Sequence, residues 1–253
     1  RRSVSTGMWP ARNGHAEMSV RIKFCGFTRA EDAALAATLG VDAIGVAHVP
    51  GSKRHVPLEA MPAIRAAVPT HIDLVALFVN PDADTVRVVI QALQPSLLQF
   101  HGDEADAFCA QFGMPFIKAM AMGKGAGDIS LRQKNYPSAQ AFVLDGHAPG
   151  EMGGQGERFA WTNLPELDKP IYLAGGLTPE NVAEAIATAQ AAFKQGDGYK
   201  ALVLFTDGED HDSNAVEAAR KAAEDGMRVF TIGIGSPEEP TPRGRGGRQS
   251  GPA

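Results

Sequence analysis

Arg21-Ile-Lys-Phe-Cys25-Gly26-Phe-Thr-Arg29 is a short β-type run that stops on a thiol and is followed at once by glycine. A second run, Ala141-Phe-Val-Leu-Asp145-Gly146, stops in the same way on a carboxyl group. Between and beyond them, β-branched runs alternate with Ala-rich stretches. Strands are predicted at 20–25, 42–46, 73–78, 96–100, 115–119, 140–144 and 170–173. Helices are predicted at 28–39, 58–67, 82–92, 103–112, 127–135, 160–166 and 179–189. Thr28 with Glu31 reads as a capping box, and Thr178-Pro179-Glu180 puts proline at a first helical position. Alternation at this spacing implies a parallel sheet with right-handed crossovers. Seven such units fall one short of a (β/α)8 barrel. An open doubly wound sheet is the structural competitor, but no Gly-x-Gly-x-x-Gly opens the first helix. The expected fold class is α/β, a TIM-barrel-like (β/α)8.

An eighth unit does follow, and it has a different character. Residues 190–200 are polar and glycine-punctuated, a linker by composition. Ala201-Leu-Val-Leu-Phe-Thr206 is a strongly apolar strand, 213–225 an alanine- and charge-rich helix, and Met227–Ile232 a further strand. The first two elements are expected to supply the missing strand and helix. The tail 236–253, rich in proline, glycine and arginine, is expected to be disordered. Residues 1–19 form an N-terminal extension without the apolar core of a secretory signal, and Met18 is the expected native start.

Composition narrows the function classes. The 253 residues are 44% hydrophobic and 21% charged, an ordinary globular balance with room for a substantial core. The net charge of −5 argues against a nucleic-acid surface but leaves small anionic substrates open. Cys25 and Cys109 are too few for a disulfide framework, so a reducing cytoplasm is expected. No apolar stretch approaches the ~20 residues of a membrane helix.

In a parallel barrel the carboxyl ends of the strands converge on one face, so residues distant in sequence share a site. Cys25, His101, Asp145 and the Ala174-Gly175-Gly176 run would meet there. Each has a blander alternative. A free cysteine is often a small buried hydrophobe, an aspartate before glycine often caps a loop, and Arg54 after the second strand could be a solvated charge rather than a carboxylate clamp. Cys109, between Phe108 and Phe112 on a helix, has core spacing. Gly153, Gly154 and Gly156 after strand six, and Gly175 and Gly176 after strand seven, free backbone amides to approach a phosphate, although glycine also simply makes turns.

Taken together, residues 20–189 resemble the phosphoribosylanthranilate isomerase family. The resemblance rests on Arg21-Ile-Lys-Phe-Cys-Gly-Phe-Thr-Arg29, Gln99-Phe-His-Gly-Asp103, Phe142-Val-Leu-Asp145, Gly153-Gly-Gln-Gly156 and Leu173-Ala-Gly-Gly-Leu-Thr-Pro-Glu-Asn181. It implies a cofactor-free Amadori rearrangement of an N-aryl ribosylamine phosphate to a 1-deoxyribulose. By resemblance, Asp145 protonates the ribose ring oxygen, Cys25 removes the C2′ proton, Arg54 contacts the anthranilate carboxylate, and His101 lines that side of the pocket. The roles require a thiol pKa brought down from ~8.5 and a carboxyl pKa pushed up from ~3.9. The expected partner is a small phosphorylated molecule, without nucleic acid or membrane, and a monomer is the favoured state.

The family's eighth strand usually ends in an Asp-Val-Ser-Ser-Gly-Val-Glu-like run that completes the phosphate site, and no such run occurs in this chain. Residues 201–235 instead resemble part of a von Willebrand factor type A domain, through Ala201-Leu-Val-Leu-Phe-Thr-Asp207-Gly-Glu-Asp210 and Val229-Phe-Thr-Ile-Gly-Ile-Gly235. Of that family's metal ligands only Asp207 is present, so no metal site is expected. Three alternatives remain beside the isomerase: an inactive chimera, a protein-binding module built on the von Willebrand-type segment, and nucleic-acid binding by Arg243, Arg245 and Arg248 in the tail.

Overall fold

The expected βα rhythm is present in the computed structural model, which describes residues 21–39, 41–149, 169–175 and 201–202. Its strands are β1 (Arg21–Cys25), β2 (Ala43–Ala47), β3 (Asp73–Phe78), β4 (Leu97–Phe100), β5 (Phe116–Ala121), β6 (Ala141–Asp145), β7 (Ile171–Leu173) and β8 (Ala201–Leu202). All pairings are parallel and sequential, and β8 closes the barrel by pairing with both β7 and β1. Thus the first residues of the 201–206 run supply the eighth strand. The expected elements at 160–166, 179–189, 213–225 and 227–232, and the linker 190–200, lie outside the described residues.

Five helices alternate with the first strands: α1 (Ala30–Thr38), α2 (Met61–Ala67), α3 (Ala83–Leu93), α4 (Asp106–Ala110) and α5 (Ile129–Arg132). Short 3-10 turns precede α2 at Leu58–Ala60 and extend α5 at Gln133–Asn135. α3 shows why these segments are helical. The Asp82 side chain caps its start by accepting from the Thr85 amide at 2.7 Å, and Val86, Val89 and Leu93 form a fully buried stripe at helical spacing. Gln94, at φ 49°, ends it in a left-handed turn.

Two expectations are corrected at helix starts. The Thr28–Glu31 capping box does not form. α1 begins only at Ala30, its N-cap is Arg29 without a side-chain cap bond, and Glu31 lies 3.5 Å from the Arg29 guanidinium instead. α4 is shorter than the predicted 103–112, because Glu104 turns inward. Its carboxylate accepts from the amides of Asn80 (2.7 Å) and Gly102 (3.0 Å) and lies 3.4 Å from Lys118 Nζ, which holds the preceding loop out of the helix. Burial lowers the Lys118 ammonium, while the Glu104 charge works in the opposite direction.

The strands face two separate cores. Phe24, Ile44, Phe78, Phe100 and Phe142 point outward and pack beneath the helices. Ala43, Val75, Leu97, Ile117, Val143 and Tyr172 point inward and fill the barrel. This alternation sends Cys25, Gln99 and Asp145 to the inside, since they share the register positions of Gly45, Ile117 and Ala121. Among the described residues, no helix is long and apolar enough to cross a membrane.

Candidate active site

Cys25 is the last residue of β1 and is buried. The two glycines beside it make its surroundings. Gly26 has φ +90°, and a side chain there would come within 2.5 Å of Arg54 Cδ and 3.2 Å of Arg54 Nε. The Arg54 stem therefore lies directly over the backbone that follows the thiol. Gly45 on β2 is the register partner of Cys25, and a Cβ on it would overlap Sγ and sit 3.0 Å from the Cys25 Cβ. Gly45→Ala is expected to lower the unfolding free energy by about 1–3 kcal/mol through overpacking. Urea unfolding reads this, and an unchanged midpoint would mean that the thiol moves aside freely.

Asp145 ends β6 with its carboxylate between two imidazoles. His101, just past β4, donates from Nε2 to Oδ2 at 3.0 Å, and Gln99 Nε2 donates to His101 Nδ1 at 3.0 Å. In that amide orientation Nδ1 accepts and Nε2 carries the ring proton. His147 Nδ1 is buried 3.5 Å from Oδ1 and has no closer polar partner. The rings of His101 and His147 are 5.3 Å apart. Three donor atoms on His101, Asp145 and His147 lie within 4.8 Å of one another, a spacing that a divalent ion could also bridge.

The electrostatics of Asp145 run against the expectation of a raised carboxyl. Burial does push the group up, but the His101 hydrogen bond and the close approach of the two imidazoles outweigh it and hold the carboxyl well below its ordinary range. A group depressed in the folded state stabilises the fold above its unfolded pKa, ~3.9, and that contribution is lost as pH falls below it. Wild-type unfolding free energy should therefore exceed that of Asp145→Asn by a margin that is constant near neutrality and shrinks as pH falls below about 4. Parallel pH curves for the two proteins would contradict this.

The other expected residues are distributed as follows. Gly175 follows β7 with φ +83°, whereas Gly153, Gly154, Gly156 and Gly176 lie outside the described residues. Cys109 is fully buried on α4 with its thiol pushed up to about 12, mainly by desolvation, so it is a packing residue. His147 is not singled out by the sequence. Its only signal there is a titratable side chain two residues beyond Asp145, past a glycine. A cavity of about 430 Å³ opens behind His101 and His147, lined also by Asn80, Lys118, Arg132 and Tyr136. Cys25, Arg54 and Asp145 do not line it, so it adjoins the site without being its centre.

An eight-stranded parallel barrel with a thiol, a paired carboxylate and a flanking arginine at its carboxyl end belongs to the (β/α)8 enzymes. The family model for N-(5'-phosphoribosyl)anthranilate (PRA) isomerase matches residues 22–194, and the chain belongs to that family. The von Willebrand factor type A model matches residues 171–243, overlapping the end of the first match. The chain is 50% identical over 170 residues to N-(5'-phosphoribosyl)anthranilate isomerase of Stenotrophomonas maltophilia strain R551-3, covering 66% of this chain and 77% of the relative. It is 43% identical over 217 residues to that of Xylella fastidiosa strain 9a5c, covering 84% and 96%. Among solved structures, phosphoribosyl anthranilate isomerase from Thermotoga maritima superposes with a TM-score of 0.62 at 31% identity, over 80% of this chain and 99% of that one. Another, in complex with reduced 1-(o-carboxyphenylamino)-1-deoxyribulose 5-phosphate, superposes at 0.59 and 25% identity, over 81% and 99%.

Proposed function

We propose that this chain converts N-(5-phosphoribosyl)anthranilate to 1-(2-carboxyphenylamino)-1-deoxyribulose 5-phosphate, without a cofactor, in tryptophan biosynthesis. The observation that carries the reading is the delivery of Cys25 by β1 and Asp145 by β6 to one end of a barrel, in a chain of this family. Arg54, whose stem lies against Gly26, is the clamp for the anthranilate carboxylate. His101 lines that side of the pocket. Gly153, Gly154, Gly156, Gly175 and Gly176 offer backbone amides to the substrate phosphate.

The reaction opens with protonation of the ribose ring oxygen, which breaks the bond from C1′ to that oxygen and leaves a Schiff base. Cys25, as thiolate, then takes the C2′ proton. The electron pair of that C–H bond forms the C1′–C2′ double bond, and the iminium electrons return to nitrogen. The resulting enolamine gains a proton at C1′ and loses the proton of its C2′ hydroxyl to solvent, so that the C2′ oxygen becomes the ketone. The proposed donor of the ring-opening proton is Asp145, with the imidazoles of His101 and His147 3.0 Å and 3.5 Å from its carboxyl.

The von Willebrand-type segment stands where the family's serine-rich phosphate run would be, so phosphate affinity is expected to be weakened. The substrate is a small phosphorylated molecule, the location cytoplasmic, and the favoured state a monomer. Steady-state conversion of phosphoribosylanthranilate by the purified chain, beside Cys25→Ala as background, tests the reading. Turnover confined to the wild type supports it; a folded chain without turnover removes it.

A further inference from the structure

His147 stands at the barrel mouth with a ring nitrogen that no hydrogen bond satisfies. The residue is 6% exposed, and buried polar atoms of this kind are seldom left without a partner. Nδ1 faces Asp145 Oδ1 at 3.5 Å, beyond the ~2.7–3.2 Å of an ordinary hydrogen bond. That separation has another use. Two donor atoms held on one ion by bonds of about 2.0–2.2 Å at tetrahedral angles stand about 3.3–3.6 Å apart. On the other side of the carboxylate, His101 Nε2 lies 3.0 Å from Oδ2. All three donor atoms lie within 4.8 Å of one another, and among the described residues no other such group of three converges. A second buried atom points the same way. Gln99 Oε1 is fully buried and also has no hydrogen-bond partner. With the amide turned over, Oε1 accepts from a proton on His101 Nδ1, and Nε2 is left with a free lone pair. Metal-bound imidazoles are held in this way, by a hydrogen bond from the ring nitrogen that faces away from the ion.

We infer that His101, Asp145 and His147 form a binding site for a divalent transition-metal ion of the Zn²⁺ type. Two imidazoles and one carboxylate suit Zn²⁺, Co²⁺ or Ni²⁺, whereas Mg²⁺ and Ca²⁺ call for oxygen ligands throughout. The barrel sets the ligands in place before any ion arrives, because Asp145 ends β6 and His101 follows directly on β4. A turn of either imidazole closes the remaining gap. Three protein ligands leave a further position open. His101 and His147 both line the cavity of about 430 Å³, so water can fill that position from the cavity side. The ion is an inhibitor rather than a cofactor. It takes the carboxylate lone pair that would otherwise carry the ring-opening proton. This consequence rests on the proposed role of Asp145, whereas the binding itself does not. Asp207, in the von Willebrand-type segment, has no part in the site.

The test is calorimetric titration of the purified full chain with Zn²⁺ at constant pH, with Co²⁺ as a second probe read by its visible absorbance. One ion per chain is expected to bind. His101→Ala, Asp145→Asn and His147→Ala should each weaken it by roughly tenfold or more, since even groups one step removed from a metal are worth about 10–100-fold. Cys25→Ala, Asp207→Ala and His55→Ala should leave it unchanged; His55 is the control for the other imidazole pair, His48 and His55, whose rings are 4.7 Å apart. Excess Mg²⁺ should not displace the ion. Bound Co²⁺ should show nitrogen and oxygen ligation without a thiolate charge-transfer band. A wild-type chain that binds neither ion overturns the inference without any variant, so a misfolded variant cannot shelter it. Binding that survives His147→Ala intact, or that is lost with Cys25→Ala, Asp207→Ala or His55→Ala, overturns it as well. In turnover, Zn²⁺ should lower kcat/KM and a chelator should restore it; full activity with the site saturated overturns the inhibition. No binding arm needs substrate, so a chain without isomerase activity removes the functional reading and still tests the site.

Discussion

Cys25→Ala is expected to reduce turnover of phosphoribosylanthranilate by roughly 10²–10⁴-fold, the usual contribution of a positioned general base. The side chain is small and buried at a strand end, so its loss removes one sulfur and leaves the barrel backbone unchanged. Arg54 and the glycines proposed to bind substrate belong to other segments of the chain, so KM should change much less than kcat. That split separates a catalytic thiol from a packing one. A packing cysteine such as Cys109, fully buried on α4, would register in the melting temperature rather than in kcat. Near-normal turnover in Cys25→Ala, with substrate still bound, would assign proton abstraction to another group.

The second large effect is expected from Asp145→Asn, again roughly 10²–10⁴-fold in kcat. The amide is almost isosteric and its oxygen can still accept from His101 Nε2, so the loop geometry survives while the charge is lost. A variant with normal kcat would leave Asp145 as an anchor for His101 and nothing more.

Much of the fold is legible in the sequence alone. The strand ends at Cys25 and Asp145, the helical stripe of α3 and the run that begins with β8 all follow from local apolar patterning and chain order, which sequence displays directly. What is not legible depends on contacts made across the barrel. The short α4 results from the capture of Glu104 by the amides of Asn80 and Gly102 and by the Lys118 ammonium. Those groups come from three separate segments, so no local window shows them together.

The same holds for Asp145. Its strand-end position is readable, but the direction of its pKa is not, because His101 arrives from β4 and His147 lies beyond the glycine where the strand pattern stops. Lys23 stands in plain view within the first run. It is only a break in an apolar strand until the folded barrel brings its ammonium beside Gly45. The capping box at Thr28 shows the opposite error. A local motif is present, but Arg29 takes the cap position and the helix begins after it.

The joint between β8 and β1 also bears on how the chain assembles. Among the described residues it joins Arg21 to Ala201 and Ile22 to Leu202. Its partners come from opposite ends of the barrel sequence, so closing it carries the largest loop-closure entropy of any strand pairing and makes it a late step in folding. Until it closes, the edge of β1 is bare, and an exposed strand edge is a template for pairing with another chain. Chains caught before that step are therefore the ones expected to self-associate at high concentration.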